Sequence, residues 1–176
     1  MPKTILHLID SFQKGGAETL LAGYLPELSG FNNIIAVLND KNDFQNVTGK
    51  YPYYNLNIHA KRQIPGAVRK IKKICKEHHI DILHSHSLWT IFLSRKAANN
   101  KQKVINHYHF ADYQTYSKRV STGIWILIDK LTYRKNVTRV AVSEYVLNIL
   151  NRLFKKTNNV LIPNFIEGNN SSVIGK

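Results

Sequence analysis

Two short segments place histidines at what reads as the end of a buried strand. The first is DILHSHS over Asp81–Ser87, and the second is KVINHYHF over Lys103–Phe110. The four histidines are His84, His86, His107 and His109. Because side chains alternate along a strand, the two histidines within each segment share a face. Imidazoles placed in this way can bind a metal ion, move a proton or hydrogen-bond a ligand.

A metal site built from the two histidine pairs is one interpretation, and a structural role for each pair is the other. No carboxylate at a matching spacing accompanies the histidines, and histidines at i and i+2 are common at polar strand ends. The single cysteine, Cys75, excludes a zinc site made of cysteines and an internal disulfide framework. We therefore expect neither a metal ion nor another cofactor.

A glycine loop near the N-terminus is the third feature whose residues suit a binding site. Lys3–Leu28 reads as a buried strand, a polar loop containing Gly15 and Gly16, and an amphipathic helix. The free amide N–H groups of a first helical turn suit an anion such as a phosphate, although turn chemistry also explains many glycine pairs. The loop lacks the Gly-Lys-Ser/Thr of a P-loop and the three glycines of the dinucleotide fingerprint, which disfavours a nucleoside triphosphate or NAD.

Hydrolase chemistry has little support in the sequence. No Gly-x-Ser-x-Gly elbow is present, so Ser87 and Ser143 are interpreted as strand-end or capping hydroxyls. The acids Asp10, Asp112 and Glu144 are scattered along the chain. Trp89 and Tyr113 suit stacking on a sugar or a base, or packing in the core.

The charge is the outlier of the composition. The 176 residues include 25 Lys+Arg against 11 Asp+Glu, which gives a net charge of +14. Such an excess attracts nucleic acid, phospholipid head groups or a phosphate-bearing substrate. The length suits one domain, and no apolar run suits a membrane span or a signal peptide, so we expect a cytoplasmic protein.

Strands and helices alternate along the chain, which predicts an α/β fold with a mainly parallel sheet of about seven strands. The predicted strands cover 5–9, 33–39, 53–58, 81–87, 103–110, 137–143 and 159–163. The predicted helices cover 17–28, 65–76, 89–99, 112–136 and 144–154, with a possible break at 121–123 and a capping role for Ser143. Ligands of such folds bind at the carboxyl ends of the strands, where the histidines, Ser143 and the glycine loop fall.

Five segments, taken in order, resemble the N-terminal domain of the GT-B glycosyltransferases of the large retaining family 4. These segments are ILHLIDSFQKGGAET, DILHSHS, VINHYHFAD, RVAVSEYV and NVLIPNFIE. The resemblance extends from Thr4 to Glu167 and implies a Rossmann-like three-layer domain over 1–166, with a polar linker stub over 167–176. Phe165 and Glu167 depart from the family pattern, which has glycine and aspartate there.

The resemblance implies a hexosyltransferase that moves a sugar from a nucleotide-sugar donor to a saccharide or lipid-linked acceptor in cell-envelope polysaccharide or glycolipid synthesis. By family pattern, Gly15 and Gly16 lie near the donor diphosphate, and the catalytic candidate His109 lies beside the transferred sugar. The acceptor-side candidates are Lys14, His86, Ser87, Trp89 and Tyr113.

The C-terminal nucleotide-sugar domain of such enzymes has no counterpart here, and no two glutamates are eight positions apart as its acidic motif requires. We therefore expect a half-enzyme that is inactive alone, or a subunit that pairs with a separately encoded half. A basic surface that docks peripherally on anionic membrane fits this interpretation. The alternative is a basic α/β module that binds nucleic acid or anionic membrane; the absence of a nucleic-acid motif argues against nucleic acid.

Overall fold

Seven parallel strands form one sheet at the centre of the domain. The computed structural model describes residues 1–109, 120–155 and 157–164. The strands are β1 (Thr4–Ile9), β2 (Asn32–Val37), β3 (Tyr53–Asn55), β4 (Ile82–Ser85), β5 (Lys103–Tyr108), β6 (Val137–Ala141) and β7 (Asn159–Leu161). Their order is β3-β2-β1-β4-β5-β6-β7, and every neighbouring pair is parallel. The predicted α/β fold with a parallel sheet is confirmed.

Helices follow most of the strands, as the crossover connections of a parallel sheet require. They are α1 (Gly16–Tyr24), α2 (Gln45–Thr48), α3 (Ile64–Glu77), α4 (Leu88–Ala97), α5 (Val120–Thr132) and α6 (Glu144–Leu153), with short 3-10 turns at Pro26–Leu28 and Lys61–Gln63. Among the described helices, none has the length and apolar character needed to cross a membrane.

The sheet is covered on both faces, which makes the domain three-layered. All six residues of β1 are buried, as expected for a central strand. Ile9 packs with Leu21 of α1 on one face. Leu8 packs with Ile71 of α3 and Leu93 of α4 on the other.

A buried ionic network joins the helices on the second face to the sheet. Asp129 of α5 accepts a hydrogen bond from Arg95 Nη1 of α4 at 2.7 Å and also pairs with Arg139 of β6. The guanidinium of Arg139 lies 4.3 Å from the ring centroid of Tyr133 and 4.2 Å from that of Phe154. Aromatic faces on both sides stabilise this buried cation.

The predicted elements are present, but several of their ends were predicted wrongly. β2 to β7 each end earlier than predicted, because a strand ends with its last ladder bond to a neighbour, whereas the residue pattern continues for a few positions beyond it. The predicted loop 39–52 contains the one-turn helix α2. α5 runs unbroken through Gly123, so the predicted break at 121–123 is absent, and residues 112–119 lie outside the described part of the chain. Ser143 caps α6 as predicted, since its Oγ accepts from the Val146 amide at 3.3 Å.

The chain reverses its direction across the sheet between β1 and β4. β2 and β3 lie on one side of β1, whereas β4 to β7 lie on the other. The connections after β1 and β4 therefore lead to opposite sides of the sheet, and in open parallel sheets ligands bind in a crevice at the carboxyl edge beside such a point.

Candidate functional site

Five histidine rings meet in the carboxyl halves of β1, β4 and β5. They are His7 from β1, His84 and His86 at the end of β4, and His107 and His109 at the end of β5. Ring centroids are 5.4 Å apart for His7 and His84, 4.2 Å for His84 and His86, and 4.5 Å for His107 and His109. The expectation that each pair shares a face is therefore confirmed. We call these five residues the histidine cluster.

His86 connects the cluster to α1 and to His109. Its Nε2 lies 3.3 Å from the Tyr24 hydroxyl, and its Nδ1 lies 3.3 Å from His109 Nε2. When the Tyr24 hydroxyl donates to His86 Nε2, the ring proton of His86 lies on Nδ1. Nδ1 then donates a hydrogen bond to His109 Nε2. His86 is 4% exposed, whereas His109 is half-buried at the edge of the crevice. The arrangement sets the tautomer of His109 and leaves its second nitrogen for a ligand.

Burial keeps the histidine cluster neutral. Loss of solvation lowers the pKa of His7 to about 4, of His107 to about 3 and of His109 to about 4. The pKa values of His84 and His86 are also lowered, first by burial and then by the neighbouring imidazoles. At neutral pH the rings act through hydrogen bonds and lone pairs and carry no positive charge.

A carboxyl group and a hydroxyl join the loop after β1 to the start of α4. Ser87 Oγ donates to Asp10 Oδ1 at 2.5 Å, and the Ser87 amide donates to Thr90 Oγ1 at 3.0 Å. Burial raises the pKa of Asp10, and the hydrogen bond from Ser87 opposes that shift. Asp10 and Ser87 therefore hold the two sides of the crevice together at its base.

The glycine loop enters α1 at the same edge of the sheet. Gly15 is the N-cap of α1, and its carbonyl accepts from the Thr19 amide at 2.9 Å. The Lys14 amide donates to Asp43 Oδ2 at 2.7 Å, which fixes the loop against the segment after β2. Gly16 begins the helix with open space where a Cβ would be, whereas the Glu18 carboxylate lies against Gly15, where a Cβ would clash with it.

Trp89 lies on the opposite face of the sheet from the histidine cluster. Its indole packs edge-on against Trp125 with centroids 4.7 Å apart. It also lines a cavity of about 190 Å³ whose wall is largely apolar. The other lining residues are Leu38, Ile58, His59, Ala60, Ile64 and Leu93.

Comparison with known proteins agrees with this geometry. The model of glycosyltransferase family 4 matches residues 14–168. The chain belongs to this family. No curated protein sequence shows significant similarity to it.

Solved structures share the fold of this family 4 domain. A glycosyltransferase from Rickettsia africae has 20% identity and a TM-score of 0.61, with 94% of this chain and 44% of that chain covered. HepE from Anabaena, in complex with UDP and glucose, has 15% identity and a TM-score of 0.67, with 92% and 44% covered. A sucrose-phosphate synthase structure from Thermosynechococcus elongatus has 13% identity and a TM-score of 0.67, with 94% and 91% covered.

The family 4 chain therefore spans less than half the length of the Rickettsia and Anabaena chains that it matches. The family match and this coverage fit the N-terminal domain of a GT-B glycosyltransferase.

The structure brings some of the predicted site residues together and separates others. His86 and His109 are in contact, and Ser87 lies at the base of the same crevice through Asp10. The loop that contains Lys14, Gly15 and Gly16 follows β1 at this edge. Trp89 lies apart from them beside its own cavity. Tyr113 lies outside the described residues. The roles assigned to these residues stay predictions.

Two members of the site, His7 of β1 and Tyr24 of α1, have no role predicted from the sequence. For Asp10, the sequence did not indicate Ser87 as its hydrogen-bond partner. His7 is the register partner of His84 across β1 and β4. A histidine inside an otherwise apolar strand was the available signal, but its partners depend on strand order and register.

Proposed function

We propose that the chain is the acceptor-side half of a retaining hexosyltransferase. It takes part in transferring a sugar from a nucleotide-sugar to a saccharide or lipid-linked acceptor in cell-envelope polysaccharide or glycolipid synthesis. The observation that carries this proposal is the contact between His86 and His109 at the carboxyl edge of the sheet. It occurs in a chain that belongs to glycosyltransferase family 4.

His109 hydrogen-bonds a hydroxyl of the transferred sugar. Its lowered pKa makes the imidazole neutral, so it stabilises the transition state as an oriented dipole and not as a cation. The first-turn amides after Gly15 and Gly16 face the donor diphosphate, where the partial positive charge of the helix N-terminus is favourable. The relative from Anabaena in complex with UDP and glucose supports a nucleotide-sugar donor.

The acceptor lies on the side of the crevice formed by Lys14, His86 and Ser87, and Tyr113, which follows β5 in the sequence, is a further candidate. The apolar cavity beside Trp89 suits the hydrophobic portion of a lipid-linked acceptor. The exposed basic face of α3 suits the anionic surface of a membrane that holds such a lipid. The protein then works on the cytoplasmic side without crossing the bilayer.

The test is an activity assay on two proteins. One is the reading frame expressed to its stop codon, and the other is the 176-residue chain alone. Each is offered UDP-, GDP- and ADP-sugars with bacterial lipid extracts as acceptors. We expect transfer only by a longer product, and His109→Ala lowers its kcat/KM by about a hundredfold, the effect of losing one well-placed donor in a water-excluded site.

His79→Asn is the matched control for this assay. His79 is exposed near the amino end of β4, and its positive φ of 49° is one that asparagine adopts readily. Its activity equals that of the unmodified enzyme. Transfer by the 176-residue chain alone contradicts the half-enzyme proposal, and full activity in His109→Ala contradicts the role of His109.

A further inference from the structure

Three members of the histidine cluster form an inner set beneath the crevice. They are His7, His84 and His86, and each offers a ring nitrogen that lies within 4.8 Å of the nitrogens of the other two. His7 and His84 are paired in the register of β1 and β4, and His84 and His86 share a face of β4. Strand pairing therefore holds their backbones in place before any ligand arrives.

Asn33 fixes the tautomer of His7. Its amide nitrogen donates to the carbonyls of Leu28 at 2.9 Å and Phe31 at 3.3 Å, which orients its Oδ1 toward His7 Nε2 at 3.1 Å. Nε2 must therefore carry the proton, and Nδ1 carries a lone pair. His7 is fully buried, and its Nδ1 has no hydrogen-bond partner among the described residues.

A second nitrogen of the inner set also lacks a partner. His84 Nε2 is buried and has no hydrogen-bond partner within the described part of the chain. Buried polar atoms are almost always satisfied, since leaving one unpaired costs free energy. Two such nitrogens in neighbouring rings indicate a ligand that accepts electron pairs. A hydrogen-bond partner on the ring nitrogen that does not bind the metal, as Asn33 is for His7, is typical of metal-binding histidines.

The outer histidines include one ring of this kind. His107 has no hydrogen-bond partner at Nδ1 or Nε2 among the described residues, but a neutral imidazole carries a lone pair on only one of these nitrogens, whereas the inner set offers one unpaired nitrogen from each of two rings. His86, His107 and His109 also bring ring nitrogens within 4.8 Å of one another. His86 Nδ1 and His109 Nε2, however, lie 3.3 Å apart and satisfy each other. His86 Nε2 lies 3.3 Å from the Tyr24 hydroxyl, so an ion bound to this nitrogen takes the place of that hydrogen bond.

We propose that His7, His84 and His86 bind one divalent transition-metal ion of the zinc type. Imidazole is a favoured ligand of Zn²⁺, Co²⁺, Ni²⁺ and Cu²⁺, whereas Mg²⁺ and Ca²⁺ prefer oxygen ligands, which the inner set lacks. Zinc at about 2.0–2.1 Å from each nitrogen places them about 3.3 Å apart, which small ring rotations achieve.

A bound ion would hold His86 in the same tautomer as the Tyr24 hydroxyl does, and what this means for His109 rests on the proposed function. With His86 Nε2 on the metal, the proton of His86 lies on Nδ1 and is donated to His109 Nε2. The free proton of His109 is then on Nδ1, where it can be donated to a sugar hydroxyl. The metal thus positions the catalytic candidate without touching substrate.

The test measures metal binding to the tag-free chain, with no sugar or nucleotide present. After removal of metals by a chelator, ZnCl₂ is titrated with a competing dye, and CoCl₂ is added in parallel for its visible spectrum. We expect one equivalent of Zn²⁺ and the intense visible bands of four-coordinate cobalt with nitrogen ligands. His7→Gln and His84→Gln weaken binding at least a hundredfold.

Two further variants locate the ion. His107→Gln changes only the outer set, and His59→Gln changes an exposed histidine on another loop; both bind as the unmodified chain does. Loss of binding in His107→Gln with retention in His7→Gln would place the ion in the outer set and overturn the proposal. Absence of both stoichiometric zinc and the cobalt spectrum in the unmodified chain also overturns it, whether or not the variants fold. Because no transfer is assayed, failure of the proposed function leaves this result unchanged.

Discussion

At the scale of single residues, the site depends on histidines that are kept neutral by burial. His86 and His109 exchange a hydrogen bond at 3.3 Å, and the whole cluster packs ring against ring. A protonated ring in this cluster would lack solvent and would face like charges on its neighbours. The chemistry available at neutral pH is therefore hydrogen bonding and metal ligation, and protonation of the cluster opposes folding.

The stability of the domain should consequently fall in mild acid. The pKa of His107 is lowered to about 3 and that of His7 to about 4 in the folded chain, against 6.5 when unfolded. Above about pH 7 neither state binds a proton at these sites, so they do not affect stability there. Below pH 6.5 only the unfolded chain takes up protons, and each such histidine costs about 2 kcal/mol between pH 6.5 and about pH 5. Urea unfolding with a chelator present, at about pH 7.5 and about pH 5, measures this loss.

A pair of variants separates buried from exposed histidines in that experiment. His107→Asn removes one buried imidazole and should make the dependence on pH shallower, whereas His79→Asn should leave it unchanged. If the stability of His107→Asn depended on pH as that of the unmodified chain does, the burial of a neutral His107 would not be a source of the acid sensitivity.

At the scale of elements, the sequence was sufficient for the strands and helices but not for their lateral order. Apolar runs such as Ile5–Ile9 and alternation at His84 and His86 predicted strands and shared faces correctly. Pairing of β1 with β4 depends on which strands lie side by side, a tertiary property with no local signal. For that reason the partners of His7 and Asp10 were missed. Strand ends were predicted too late where the residue pattern continued past the last ladder bond.

The ionic network on the second face is an element-scale feature with a testable cost. Asp129 joins α5 to α4 through Arg95, to β6 through Arg139, and to β5 through the Tyr108 hydroxyl at 2.7 Å. Asp129→Ala leaves two buried guanidinium groups without their carboxylate. We expect a loss of about 3–5 kcal/mol in the free energy of unfolding, measured by urea denaturation.

The reference for this variant is an ion pair on the surface. Lys73 and Glu77 are 3.6 Å apart on exposed turns of α3, so Glu77→Ala should cost no more than about 0.5 kcal/mol. Equal losses in Glu77→Ala and Asp129→Ala would mean that burial does not strengthen the dependence on Asp129.

At the scale of the whole molecule, the net charge is +14, and several of the basic residues share one exposed face of α3. The helix buries Ile71 and Ile74 and exposes Arg69, Lys72 and Lys76. Under the proposed function, this exposed basic face is where an anionic bilayer would be bound. Because α3 packs on the sheet that carries the candidate site, docking would present that site to a lipid-linked acceptor at a fixed orientation.

Charge reversal on α3 should therefore weaken binding to anionic vesicles. A Lys near an anionic surface contributes about 1 kcal/mol, so Lys72→Glu combined with Lys76→Glu should lower affinity for phosphatidylglycerol vesicles about thirtyfold or more. Lys101→Glu with Lys103→Glu makes the same change of charge on exposed residues at the amino end of β5, and should have a much smaller effect. Sedimentation with vesicles at low and physiological salt measures both, and neutral phosphatidylcholine vesicles should bind neither protein.

Equal losses in the two variants would indicate attraction by net charge alone. Tighter binding to single-stranded DNA or RNA than to vesicles, at the same salt, would instead favour a nucleic-acid partner. Binding of a flexible polyanion depends on the total positive charge of the protein, whereas docking on a membrane depends on the basic face of α3.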